Sequence, residues 1–246
     1  MRAAVLSDIH ANRQALEAVL AAVDEAEVDQ LWCLGDLVGY GADPDACVAL
    51  ARERFSLCLV GNHDLALLGA LDVSTFSEAA AAAVAWSREQ VSEETVEFLT
   101  TLEPTASQNG VGLSHASPRD PVWEYVLSTD QAEAGLDAQE ERVGLIGHSH
   151  IALFFMRAPV VRRGYAQGAQ AGDGSEIEIA EGEWLLNPGS VGQPRDGDSR
   201  AAWLELDTES WSARYHRVPY DIEGAAAAIR AAGLPDVLAE RLEVGR

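Results

Sequence analysis

Apolar runs of two lengths alternate along the first sixty residues. Residues 2–7 are short, continuous and bounded by polar groups, and read as a buried strand. Residues 11–26 place Leu16, Val19, Leu20 and Val23 at the i, i+3, i+4, i+7 spacing of one helix face. Leu31-Trp32-Cys33-Leu34 is a second strand that stops at Gly35-Asp36. Pro44 opens a helix to Arg54 at its first turn, and residues 55–60 are a third strand ending at Gly61. This rhythm predicts parallel strands joined by right-handed crossovers.

Beyond Gly61 the pattern becomes helical. Ser77 caps an alanine-rich helix to about Val91, and Ser92 caps another to Leu102. Asn109-Gly110 between 106–108 and 111–113 is a hairpin signal, so the sheet structure is mixed from there. Residues 129–138 read as a helix, and 143–146 and 151–156 as strands. Residues 164–183, rich in glycine and polar groups, read as a surface loop or irregular hairpin. Strands follow near 184–187, 201–207 and 211–218, then helices after Pro219-Tyr220-Asp221 and after Pro235. Neither a repeat nor a linker divides the chain. The expectation is one α/β domain over 1–246, with the C-terminal helices 221–246 as an appendage.

Composition narrows the function classes. With 246 residues, 48% of them hydrophobic, the chain builds a sizeable core. No run of about eighteen apolar residues predicts a membrane span. The apolar run at the N-terminus is too short for a signal peptide. Cys33, Cys47 and Cys58 are odd in number, and Cys33 and Cys58 lie in apolar runs, so they read as buried reduced thiols. These features predict a cytoplasmic protein. All 17 basic residues are arginine and the net charge is −23. Such a surface repels a phosphate backbone, which argues against long nucleic acid and against a repair nuclease. A homo-oligomer stays open.

The candidate chemistry sits at strand ends. Of six histidines, His10, His63, His115, His148 and His150 follow apolar strands and only His216 lies elsewhere. Asp8 and Asp36 share that placement, and Asn62 precedes His63. Ligands at the carboxyl ends of strands in an open α/β sheet converge on one crevice. Asp8 and His10, like His148 and His150, are two residues apart and leave their strands on one side. The clusters therefore point to metal.

The order Asp8-Ile9-His10, Gly35-Asp36, Gly61-Asn62-His63-Asp64, His115, Gly147-His148-Ser149-His150 resembles the calcineurin-like metallophosphoesterase superfamily, over residues 4 to about 196. Gly39-Tyr40-Gly41, residues 117–125 and residues 187–196 are similar to its bacterial YfcE-like phosphodiesterase branch. The resemblance implies a four-layer α/β/β/α sandwich of two mixed sheets with two divalent metal ions per chain at the sheet edge. By that resemblance Asp8, His10 and His150 hold one ion, Asn62, His115 and His148 the other, and Asp36 bridges them. Oxygen and nitrogen ligands without thiolate suit manganese, iron, zinc, nickel or cobalt, with manganese or iron placed first. Two divalent ions less Asp8, Asp36 and a bridging hydroxide leave about one positive charge to hold a phosphate.

The implied activity is hydrolysis of a small phosphodiester or phosphomonoester by attack of the metal-bridging hydroxide. His63, free of metal, is the catalytic residue, hydrogen-bonding the phosphoryl oxygen or protonating the leaving group. The protein phosphatases of this superfamily carry Gly-Asp-x-x-Asp-Arg-Gly. Here Gly39 replaces the second aspartate and Tyr40 the arginine, which argues against a protein phosphatase and against a dinucleoside-tetraphosphate hydrolase. Arg119 or Arg195 is a candidate for the missing cation, although each also reads as a structural arginine in a proline-containing loop. Trp123, Tyr125 and Tyr40 either stack on a base or cover the core. The alternative function is a non-catalytic metal-binding scaffold of the same fold, against which the presence of His63 speaks.

Overall fold

The computed structural model describes residues 1–159 and 165–246. Its first part follows the alternation read from the sequence, as β1 (Arg2–Leu6), α1 (Arg13–Ala26), β2 (Gln30–Cys33), α2 (Pro44–Arg54) and β3 (Leu57–Cys58). The three strands are parallel neighbours. β1 is apolar from Ala3 to Leu6 because both its faces are covered. Ala3 and Val5 face a second sheet, and Ala4 and Leu6 face the helices.

After Gly61 come α3 (Asn62–Leu67), α4 (Glu78–Gln90) and α5 (Glu93–Thr100). The Ser77 and Ser92 hydroxyls accept from the N–H groups of Ala80 and Thr95 and so close the first turns of α4 and α5. Next, β4 (Thr105–Gln108) and β5 (Val111–Ser114) form the expected hairpin. Asn109 and Gly110 sit at φ of 53° and 76°, the positive pair that a type I′ turn needs. The remainder runs α6 (Thr129–Ala138), β6 (Val143–Leu145), β7 (Ala152–Arg157), β8 (Gln167–Gln170), β9 (Glu176–Glu178), β10 (Glu183–Pro188), β11 (Ala201–Asp207), β12 (Ser212–Val218), α7 (Ile222–Ala231) and α8 (Asp236–Val244).

Two mixed sheets result, with strand orders β3-β2-β1-β11-β12-β9 and β4-β5-β6-β10-β7-β8. They face each other across Val5, Trp32, Leu34, Leu145, Trp184 and Leu206. The helices α1, α2 and α5 cover the first sheet through Leu16, Val19, Val48 and Leu99. α6 covers part of the second sheet, with Leu136 against Leu153 and Leu185. The layers are thus helix, sheet, sheet, helix. Among the described residues no helix is long and apolar enough to cross a membrane. Cys33 and Cys47 are buried, Cys58 is half-buried, and all three are free thiols.

Two expectations need correction. The strand predicted over 55–60 makes ladder pairs only at Leu57 and Cys58, because it is an edge strand with β2 as its one neighbour. Beyond it the Val60 N–H turns to the Glu103 carbonyl at 3.0 Å. The segment 164–183 is neither a loop nor a hairpin of its own. Residue 164 lies outside the described residues. The rest supplies β8 to the edge of the second sheet and β9 to the edge of the first. Polar side chains suit these exposed edges, and Ala171 and Ile179 are buried where the chain passes between sheets. The C-terminal helices pack on each other and on Tyr40, Ala80 and Ala83.

Candidate metal centre

Five strand ends, those of β1, β2, β3, β5 and β6, bring the candidate ligands together. Ligand atoms of Asp8, His10 and His150 lie within 4.8 Å of one another, and so do those of Asp36, His115 and His148. Asp36 stands between the groups, with Oδ2 at 3.5 Å from His10 Nε2 and 3.6 Å from His115 Nε2. Asn62 Oδ1 is 3.0 Å from His115 Nε2. A third group joins His10, Asp36 and His63.

Main chain fixes these side chains. His10, His115 and His150 direct Nδ1 to the carbonyls of Val38, Leu34 and Gln193 at 3.0, 2.9 and 2.6 Å. A carbonyl can only accept, so Nδ1 carries the proton and Nε2 presents a lone pair inward. Each carboxylate is held through one oxygen. Asp8 Oδ2 accepts from the His148 N–H at 3.1 Å, and Asp36 Oδ1 from the His63 N–H at 2.8 Å. The other oxygens, Asp8 Oδ1 and Asp36 Oδ2, are buried with no hydrogen-bond partner, as is His148 Nε2. Buried polar atoms without partners are rare and ask for a ligand.

The backbone carries strain at the same place. Asp8, His10, Ala11, Asp36, Tyr40, His148 and His150 have φ between 50° and 64°. For residues with a Cβ this left-handed region costs roughly 1–2 kcal/mol each. Such strain persists where the surroundings over-determine it, and it clusters at functional sites. Gly61 is required for a different reason: a Cβ there would run into the Asp36 carboxylate.

Burial sets the electrostatics. It pushes Asp8 up to about 7 and Asp64 up to about 6, and raises Asp36 well above the usual carboxylate range. It lowers His148 to about 2 and holds His10, His63 and His150 well below the ordinary imidazole value. Neutral imidazoles facing carboxylates that lack a counter-charge fit a divalent cation, which stabilises ionised Asp8 and Asp36 and takes the free Nε2 lone pairs.

Above this floor opens a cleft of about 240 Å³, lined in part by His63, Phe76, Trp123, Tyr125, Arg195 and Arg241. His63 is buried, with ring centroids 4.4 Å from Tyr40 and 4.9 Å from Phe76. Its Nδ1 has no partner and faces Gly39, where a Cβ would collide with it. Arg195 donates to the Tyr40 hydroxyl at 3.2 Å and to Gln193 Oε1 at 2.9 Å, with its guanidinium 5.5 Å from the Tyr40 ring. Tyr125 stacks on His148 at 4.1 Å, and Phe76 meets Trp123 edge-on at 5.3 Å. Arg119 does not belong here. It is absent from the cleft lining and pairs with Glu124 through an exposed side chain, so its candidacy as the missing cation is withdrawn.

Three contributors were not anticipated. Asp64 accepts from the N–H groups of Gly61 at 2.9 Å and Val38 at 3.1 Å, tying the Asp36 loop to the start of α3. Phe76 comes from the connection between α3 and α4. Arg241 comes from α8. An aspartate three residues after Gly61 at a helix start was a legible capping signal; Phe76 and Arg241 had none.

Fold and floor together define a metal-dependent hydrolase of phosphoesters, and similarity to known proteins agrees. A sequence model of the calcineurin-like phosphoesterase superfamily domain matches residues 1–209, and the chain belongs to that family. It is 37% identical over 249 residues to the uncharacterized protein MJ0912 of Methanocaldococcus jannaschii, covering 99% of this chain and 98% of the relative. The crystal structure of a metallophosphoesterase from Sphaerobacter thermophilus superposes with a TM-score of 0.89 at 36% identity, covering 100% of this chain and 99% of that one. The hypothetical protein PH1004 from Pyrococcus horikoshii shares the fold, with a TM-score of 0.79 at 20% identity over 100% of this chain and 98% of that one.

Proposed function

We propose that the protein hydrolyses small phosphodiesters or phosphomonoesters with two divalent metal ions per chain, manganese or iron first. Asp8, His10 and His150 would hold one ion, Asn62, His115 and His148 the other, and Asp36 both. The observation that carries this reading is the pair of carboxylates, each anchored through one oxygen, with Asp8 Oδ1 and Asp36 Oδ2 buried and without partners. When bound, the ions supply activated water and positive charge for the phosphoryl group.

The chain's own groups do the rest. His63 donates one N–H to a phosphoryl oxygen. Its Nδ1 has no acceptor to hold a second ring proton, which favours this role over protonating the leaving group. Arg195, braced by Tyr40 and Gln193, supplies the cation that Tyr40 replaced in the phosphatase pattern. The cleft falls below the roughly 300–1,000 Å³ of drug-sized ligand sites, which favours a small ester over a protein or polynucleotide. With a net charge of −23 the body repels long nucleic acid.

The test is reconstitution. The protein is stripped with a chelator, reloaded with Mn²⁺, and assayed on bis(p-nitrophenyl) phosphate with parallel elemental analysis. Two ions per chain and turnover only after reloading are expected. Full turnover by the stripped protein, or uptake of a single ion at saturation, overturns the reading.

A further inference from the structure

Nine of the chain's arginines, Arg119 and Arg157 among them, pair with carboxylates. Of the other six described arginines, Arg88 and Arg142 donate to main-chain carbonyls and Arg214 and Arg246 lie outside the cleft, which leaves Arg195 and Arg241. Among the described residues neither has a carboxylate oxygen within 4.0 Å, and both line the cleft above the metal centre. Glu243, two residues beyond Arg241 on α8, turns to Arg230 instead. Arg241 also makes no side-chain hydrogen bond among the described residues, although acidic groups surround it in sequence.

The two cations sit at the same end of the cleft. Arg195 belongs to the loop after β10, and the Gly197 N–H donates to the Gly245 carbonyl at the end of α8 at 3.0 Å. Arg241 lies one turn before Gly245 and accepts its N–H through the backbone carbonyl at 3.0 Å. Leu242, next along the helix, is buried with Tyr40, the residue on which Arg195 rests. Of the cleft aromatics, Trp123 and Tyr125 lie instead against His148. Moreover, α8 falls after residue 209, beyond the part of the chain that the family model matches.

We infer that Arg241 is a specificity-determining residue that binds a second anionic group of the substrate, apart from the phosphoryl group undergoing hydrolysis. This rests on the phosphoesterase reading above. One cation, Arg195, suffices beside the metals for the reacting phosphoryl group. A second, left unpaired in an acidic protein, bears on substrate choice. A guanidinium is suited to phosphate or carboxylate because its donors form a planar fork. The substrate class is a small phosphoester with a remote phosphate or carboxylate.

The experiment compares two esters that differ only in the remote anion: thymidine 5′-(p-nitrophenyl phosphate) and the same compound carrying a 3′-phosphate. In each, water adds across the P–O bond to the aryl oxygen, p-nitrophenolate leaves, and the nucleotide keeps the phosphoryl group. The Mn²⁺-loaded wild type should prefer the 3′-phosphorylated ester. Arg241→Gln should erase that preference by raising KM for this ester roughly tenfold, with KM for the other within twofold. Arg241→Lys should retain part of it. Arg246→Gln removes the same charge from an exposed site outside the cleft lining and should leave the preference intact. Calorimetric binding of thymidine 3′,5′-bisphosphate against thymidine 5′-phosphate repeats the comparison without turnover. No preference in the wild type, or equal losses on both ligands in Arg241→Gln, overturns the inference. Absence of turnover with the binding difference intact would instead overturn the phosphoesterase reading and leave Arg241 as assigned.

Discussion

Three imidazoles and both carboxylates at the floor of the cleft are held by main-chain groups, whereas the side chains at its rim rest on other side chains. Val38, Leu34 and Gln193 carbonyls orient His10, His115 and His150, and backbone N–H groups anchor Asp8 and Asp36. At the rim Arg195 leans on Tyr40, Phe76 on Trp123, and Tyr125 on His148. A floor tied to strand ends moves only if the sheets move. A rim tied by stacking can re-form around different esters. On the proposed function, metal binding and turnover fall to the floor and substrate choice to the rim.

The harshest test of that division is Asp36→Asn. The amide keeps the size and can accept from the His63 N–H, but it cannot counter two cations. Turnover should fall by at least about 10³-fold, close to 4 kcal/mol of barrier, with most bound metal lost. Two ions per chain by elemental analysis, with turnover near wild type, would remove Asp36 from the bridging position.

His63→Ala comes next, since His63 belongs to the floor by its backbone and to the rim by its ring. Both metals should stay. Turnover should fall roughly 10²-fold, the scale of losing one donor to a developing oxyanion. The loss should be equal for a diester releasing p-nitrophenolate and one releasing a poor alkoxide. A markedly larger loss on the alkoxide would restore the leaving-group role, and loss of an ion would place His63 among the ligands, as its proximity to His10 and Asp36 allows.

The same division decides what was legible in the sequence. The floor was, because its residues follow apolar strands and the topology gathers strand ends. The left-handed backbone at Asp8, His10, Asp36, His148 and His150 was not, since nothing in the local pattern favours it there. Asp64 carries no role in the sequence reading. Gly61 precedes a helix, and Asp64 at its third position turns back to the Gly61 and Val38 N–H groups. The rim draws on the 73–77 connection, the 118–125 loop, the 193–197 loop and α8. These lie far apart in sequence and share no periodicity. β8 escaped for a related reason, because Gln167-Gly168-Ala169-Gln170 is exposed and shows no apolar alternation. β9 carried one in Glu176-Ile177-Glu178-Ile179, but it was too short to stand out from the polar segment around it.

Proton competition sharpens the account of the floor. Burial raises Asp8 to about 7 in the metal-free protein, so that it is largely protonated at pH 6. It also raises Asp36 well above the usual carboxylate range, so that it too holds a proton more readily than an ordinary carboxyl. A divalent ion needs the carboxylate and must expel those protons. The lowered imidazoles stay neutral over the same range and add none. Metal affinity should therefore fall as pH drops from 8 to 6, by about tenfold through Asp8 alone, with more protons released at the lower pH. Calorimetry in buffers of different ionisation enthalpy measures both. An affinity that is flat with pH would mean that the carboxylates are already ionised before the metal arrives.

The smallest effect belongs to the rim. Tyr125 is 41% exposed and touches the floor only through its stack on His148, 4.1 Å between centroids and 28° between planes. His148 is also fixed by its backbone, whose N–H donates to Asp8, so removing the tyrosine ring should not free it. What Tyr125→Ala deletes is an aromatic surface beside the second group of ligands. An aromatic pair is worth about 0.5–1.5 kcal/mol beyond area, and half-exposure favours the lower end. KM for an aryl phosphodiester should rise about threefold, while KM for an alkyl diester of the same charge stays within twofold. Turnover number and metal content should not change for either. A fall in turnover number common to both esters would show that the stack on His148 steadies the metal centre, and Tyr125 would then belong with the floor.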